Sequence, residues 1–430
     1  MEFPDAAAVD PFLDSVAYPP FARITQSPST PTLDSVTDAT VDAIQPIIDA
    51  LPTNSAVAVG VGSRQIDAID TITTAVVACL IDAGHSPVIV PAMGSHGGAS
   101  ADGQLTVLAD LGITEARVGC PIDARMATRQ IASDPFSVTV AESFLAVDAA
   151  IPINRIKPHT GFSGRVESGL CKMLVLGFGK HPGAQQFHHQ ATVHGFESVL
   201  FAAMEALMSE TYVPGGIGIV ENFVESVAHV EPVMADTFVE TEASLLETAR
   251  ELRATFPVNE IDLLVVDQIG KDIAGTGMDT SLIGRTDRTY GEPTHDAAIE
   301  RIVVRGVTDE SHGNINGVGF ADVIHHDVIT ACDLHATYAN VLTSGGLRNG
   351  ALPVVMPTDE SALGAAVRSL GAIEQETLRI VWVQDTAQLA TCRISDPLMT
   401  EIDDATTTVE GYDRLTFTNG AAHFEPLRED

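Results

Sequence analysis

Four of the 23 basic residues are lysines, and three of them, Lys157, Lys172 and Lys180, lie close together, with Lys271 standing apart. In a chain with 58 aspartates and glutamates the solvated faces belong to carboxylates, so a retained lysine points to a task. Lys157 and Lys180 read equally well as anion-pairing residues that stabilise a loop. Lys172 and Lys271 read as functional because of the residues around them. Histidines crowd the same stretch (His96, His159, His181, His188, His189, His194), with Arg64 and Arg155 in the same pattern. Imidazole is the usual acid or base near neutral pH and a common ligand for nickel or zinc. A lone loop histidine is more often structural, and His181, His189 and His194 are read that way. HEXXH is absent, and His188-His189 and His325-His326 are adjacent pairs without metal-ligand spacing, so a zinc hydrolase is not indicated. GFGKHPG lacks the GK[ST] ending of a phosphate loop. The glycines of GTGMDTSLIG, which could offer amides to an anion, read first as permitting positive φ in turns.

These residues need a scaffold, and the hydrophobic pattern supplies one. SAVAVGVGSR from Ser55 is a buried strand ending in a glycine turn, IDAIDTITTAVVACLIDAG a helix closed by Gly84, and PVIVPAMGSHGG a second strand running into a loop. Strand, helix and strand in that order form a parallel βαβ unit whose functional loops lie at the carboxyl ends of the strands, which puts Arg64 and His96 on one edge. AVDAAIPINRIKPHTGFSGRVESGLCKMLVLGFGKHPGAQQFHH starts as a strand and reads as a long loop thereafter. GGIGIVENF is a further strand and SLLETARELRATFP a helix closing the first domain. After Pro257 the pattern restarts with IDLLVVDQIG, followed by strands in IERIVVRGV, LPVVMP and LRIVWVQ and a helix in SALGAAVRSLGA. The expectation is two α/β domains, residues 1–256 with the catalytic and cofactor loops and residues 257–430, meeting in an interdomain active-site cleft.

Composition agrees with this class. Hydrophobic residues make up 45% and aromatics 5%, so Val, Ile, Leu and Ala build the core. A net charge of -35 disfavours nucleic acid and anionic lipid. It suits a salt-rich cytoplasm, where the Debye length falls to about 3 Å at 1 M, and a halophilic source is expected. MEFPDAAAVDPF lacks the basic and apolar stretches of a signal peptide, and no run reaches the roughly 18 apolar residues of a membrane span. The protein is read as cytoplasmic. Cys79, Cys120, Cys171, Cys332 and Cys392 are scattered and read as buried, reduced thiols.

The run NRIKPHTGFSGRVESGLCKMLVLGFGKHPGAQQFH, with GSHGG upstream and DQIGK downstream, resembles the nickel-pincer lactate racemase family and its wider set of 2-hydroxy-acid racemases and epimerases. The resemblance spans Arg64 to Lys271. It implies a two-domain α/β protein holding a nickel-pincer nucleotide, a pyridinium-derived group attached through a lysine, with a histidine completing the nickel coordination. By position, Lys172 resembles the attachment lysine and His188, sixteen residues on, the nickel ligand. His96 in GSHG and His159 in KPHTGFSG resemble the two catalytic bases, and Arg64, Gln268 and Lys271 the polar residues around substrate and cofactor. The implied reaction passes hydride to and from the cofactor through a transient 2-keto acid, one base serving each face. Partners implied are a small 2-hydroxy acid and cofactor-assembly proteins, and an oligomer is permitted. Two departures mark a distant branch: RVESGLC separates Gly164 from Lys172, and Val61 stands where the family has an aspartate three residues before the arginine. The residues alone also admit a non-catalytic binder of an anionic metabolite, using Arg64 and Lys271, and a metal-dependent lyase or hydrolase.

Overall fold

A computed structural model describes residues 3–63, 65–159, 162–287 and 297–427. The chain forms two compact α/β units, Thr30–Arg253 and Met1–Ser29 with Ala254–Asp430.

The unit Thr30–Arg253 is built on β1 (Ala56–Val61), β2 (Ser86–Pro91), β3 (Ala149–Arg155), β4 (Gly215–Glu221) and β5 (Val227–Met234), in the order β2-β1-β3-β4-β5. The first four are parallel and β5 runs antiparallel to β4. Their near-continuous apolar runs are what strands covered on both faces require. One cover is α1 (Val36–Asp49), capped by the Ser35 hydroxyl accepting from Asp38 N at 3.1 Å. It buries Ala43, Ile44, Ile47 and Ile48, one helical stripe, beside Ile72, Val76 and Leu80 of α2 (Ile69–Asp82). Each fully buried Ile or Leu contributes about 1.5–3 kcal/mol.

The segment expected to be loop from residue 156 onward is largely helical after Gly169. Following α3 (Ala101–Asp110), the chain forms α4 (Leu170–Lys172), a π-turn (Met173–Gly177), α5 (Lys180–His194), α6 (Phe196–Glu210) and, after β5, α7 (Phe238–Leu252). Pro182 reads as a breaker in sequence but sits in the first turn of α5, where an amide has no helical acceptor to lose. Lys172 is therefore helical, Lys180 opens α5, and His188 lies on α5.

The second unit carries a nine-stranded sheet. Val354–Met356, Val323–His325, Ala298–Val307, Glu260–Ile269 and Ile380–Val383 run parallel in that spatial order. Thr391–Ser395, Phe21–Gln26, Thr407–Thr418 and Ala421–Pro426 continue it in antiparallel fashion. Phe21 pairs with Ser395 on one side and Asp413 on the other. The amino-terminal 29 residues thus belong with the carboxyl-terminal half, a correction to the 1–256 division that follows from pairing across almost the whole chain. All five cysteines are free thiols, but Cys79 and Cys332 are partly exposed where burial was expected. Among the described residues, no helix is long and apolar enough to cross a membrane.

Candidate active site

In the unit Thr30–Arg253, β1 lies between β2 and β3, so the connections leave the sheet in opposite directions. Loops diverging at such a switch point open a crevice beyond the carboxyl ends of the strands. A pocket of about 290 Å³ lies there. Ser63 follows β1, Met93 to His96 follow β2, Asn154 stands one residue before the end of β3 with His159 beyond it, and Lys172, Met173 and His188 come from the helical segment. His96, His159, Lys172 and His188, separated by up to 92 positions in sequence, line one cavity.

His96 is held at its ring and at its backbone. Its Nδ1 is hydrogen-bonded to the Ser63 hydroxyl. For Nε2 to act as a base, Nδ1–H must donate to Ser63 Oγ, and the hydroxyl also accepts from the doubly protonated ring. A hydroxyl therefore suits both stages of a proton transfer. His96 N donates to Met93 O at 3.1 Å and Gly94 N to Gly177 O at 3.1 Å. Gly94 has φ +58°, and a Cβ on Gly177 would meet Ala92 O at 2.5 Å. Glycine at both positions lets the π-turn back directly onto this loop.

His159 is supported by an anion. Its backbone N donates at 2.6 Å to Glu167, whose side chain is almost fully buried and also accepts from Gly164 N at 3.3 Å and from Arg250 at 2.5 Å. Burial pushes the Glu167 carboxyl up, opposed by the His159 amide and the Arg250 guanidinium. The His159 ring lies 4.5 Å from Phe162, which stacks on Phe196 at 3.7 Å, and Phe196 meets Phe187 at 4.7 Å. Phe187 in turn lies edge-on to His188 at 5.9 Å. One buried aromatic cluster thus separates and orients the two imidazoles.

Burial and the Lys172 ammonium pull His188 down to about 4, so it is neutral at physiological pH, the form that ligates a metal. Behind Lys172, Glu242 is fully buried, accepts from Cys171 N at 2.8 Å and leaves Oε1 without a partner; burial pushes its carboxyl up to about 7.

Other expectations resolve differently. Arg64 lies outside the described residues. Arg155 is committed to an ion pair with Glu221. Gln268 and Lys271 belong to the second unit, at the end of Glu260–Ile269 and just beyond it, where Lys271 Nζ donates to Gly275 O at 2.5 Å and Asn340 Oδ1 at 2.9 Å. Gly277 and Gly284 have φ of +75° and +66°, as the turn reading of that loop requires. Among the described residues Lys180 pairs with no carboxylate: it is fully buried and bonded to Pro91 O and Gln104. Among the described residues no three His, Cys, Asp or Glu side chains are grouped to hold a metal ion. Ser63, Gln104 and Glu167 were missed in the sequence. Ser63 adjoins the already suspected Arg64, and Glu167 stands out only as an acid inside an otherwise glycine- and lysine-rich run.

No family model and no curated protein matches the sequence. Among solved structures, the chain is similar to a crystallised protein from Thermotoga maritima, with a TM-score of 0.54 at 12% identity, covering 84% of this chain and 99% of that one. It is also similar to the lactate racemase apoprotein from Thermoanaerobacterium thermosaccharolyticum, with a TM-score of 0.49 at 11% identity, covering 86% of this chain and 99% of that one. The Thermotoga likeness shows a shared fold.

Proposed function

We propose that this protein is an isomerase that racemises or epimerises a small 2-hydroxy acid with the help of a nickel-pincer nucleotide. One observation carries the reading: the two histidines, the lysine and the further histidine singled out by the sequence resemblance line a single pocket at the switch point of a parallel sheet.

The donor set fits such a group. A bare metal ion would need several ligands from the chain, and none are clustered among the described residues. A metal that arrives already chelated needs one imidazole and an anchor. His188, neutral and beside the Lys172 ammonium, and Lys172 itself would hold it. When bound, the group supplies a hydride acceptor at the reacting carbon. The chain supplies proton transfer and orientation. His96 takes the hydroxyl proton of one enantiomer through Nε2 while Ser63 holds Nδ1, and His159 serves the opposite enantiomer. The aromatic cluster of Phe162, Phe187 and Phe196 excludes water beside His159 and His188. The net charge of -35 fits work in a salt-rich cytoplasm.

The test is expression in a host that makes the cofactor and its assembly proteins, with intact mass, nickel content and turnover of chiral 2-hydroxy acids measured on one sample. The expected result is a mass adduct on Lys172, lost in Lys172→Ala, and racemisation lost in His96→Ala and His159→Ala. An unmodified, nickel-free protein from that host would overturn the proposal.

A further inference from the structure

We propose that Lys180 and Gln104 form a buried mount tying the His96 loop to the helix that carries His188, and that this mount sets His96 for proton transfer. The inference rests on the role given to His96 above. Both side chains are fully buried, which is rare for either type. Lys180 Nζ donates to Pro91 O at 2.8 Å and to Gln104 Oε1 at 2.9 Å. The Gln104 amide donates onward to Gly94 O at 3.1 Å and to His96 O at 3.4 Å. The hydrogen-bonded path therefore runs from the first residue of α5 to the backbone on both sides of Ser95.

Three features set this apart from ordinary packing. The acceptors of Lys180 are a carbonyl and an amide, so no ion pair among the described residues accounts for burying an amine there; burial pulls it down to about 8, with Asp123 opposing. Gln104 uses both ends of its amide, accepting from Lys180 while donating to the loop, so the two residues act in series. Lys180 also sits at φ +54°, the left-handed region that an L side chain seldom adopts. That conformation turns the chain from the π-turn into α5, eight positions before His188. One residue thus fixes the start of the His188 helix with its backbone and the His96 loop with its side chain. Neither touches the pocket, so both are positioning residues.

Gln104→Glu separates the possibilities. It keeps the side-chain size and gives Lys180 a carboxylate, but it removes both N–H donors to the loop and sets an anion against two carbonyl oxygens. In protein labelled with 15N-histidine, the His96 ring signals, assigned through His96→Gln, are expected to shift. In the cofactor-loaded enzyme kcat is expected to fall about 10–100-fold, with KM and the Lys172 adduct unchanged. Lys180→Met should move the same His96 signals; if one of the two variants fails to fold, the other decides. A support role alone would lower the melting temperature and leave the His96 signals in place, and that result in a folded variant overturns the mount. The spectrum requires no turnover. Shifted His96 signals in a protein that racemises nothing would count against the proposed function and for the mount.

Discussion

His96 and His159 face the same pocket on supports of opposite character. His96 is held by neutral or cationic groups: the Ser63 hydroxyl at its ring, and Gln104 with Lys180 at its backbone. His159 is held by the buried Glu167, neutralised by Arg250, and by stacked phenylalanines. The first support is a chain of short-reach hydrogen bonds, tolerant of charge on the ring. The second is an ion pair out of water, whose parts depend on one another.

The contrast breaks most severely at Glu167. Glu167→Leu leaves Arg250 and the amides of His159 and Gly164 without their acceptor, and urea unfolding should show a loss of about 3–5 kcal/mol. Glu167→Gln keeps an acceptor and should lose less, about 1–3 kcal/mol.

Glu242 sharpens the comparison, being a fully buried glutamate that accepts from Cys171 N and, among the described residues, has no cation paired with it. Its folded value of about 7 lies above its ordinary 4.5, so the folded state holds its proton more tightly than the unfolded chain does. The stability it contributes is complete below about pH 4.5 and is lost as pH rises through about 7, to the extent of about 3 kcal/mol. Glu242→Gln should remove that dependence, so the difference in unfolding free energy between variant and wild type should grow in the variant's favour across this range. Parallel pH curves would show that Glu242 titrates alike in both states.

The smallest expected effect is at Ser63. Ser63→Ala frees the His96 ring at Nδ1 and should lower kcat about 10-fold in the loaded enzyme, with unfolding free energy within about 0.5 kcal/mol of wild type. An unchanged kcat would show that the Ser63 hydroxyl does not set the orientation of His96.

Much of this was visible in the sequence where the cause is local. Strands such as Ala56–Val61 and Glu260–Ile269 announce themselves as apolar runs closed by glycine, and the scarcity of lysine drew attention to Lys172. What escaped depends on distant partners or on mixed signals. Residues 170–194 carry glycines and a proline that read as loop, while the helix there buries Lys180, Gly183, Ala184, Phe187 and Ala191, a stripe at helical spacing whose first two members are a lysine and a glycine and so do not mark it as apolar. Lys180 reads in sequence as an anion-pairing loop residue because its neutral acceptors, Pro91 O and Gln104, lie 89 and 76 positions away. Nothing near Glu167 in the chain reveals Arg250, 83 positions on.

The strand Phe21–Gln26 also bears on how the molecule is made. It leaves the ribosome ahead of the whole unit Thr30–Arg253, whereas its partners, Thr391–Ser395 and Thr407–Thr418, follow that unit. Thr30–Arg253 is continuous and can complete its sheet while synthesis proceeds; the nine-stranded sheet cannot close until nearly the whole chain exists. Both hydrogen-bonding edges of that strand therefore lack their native partners until the chain past Thr407 has been made.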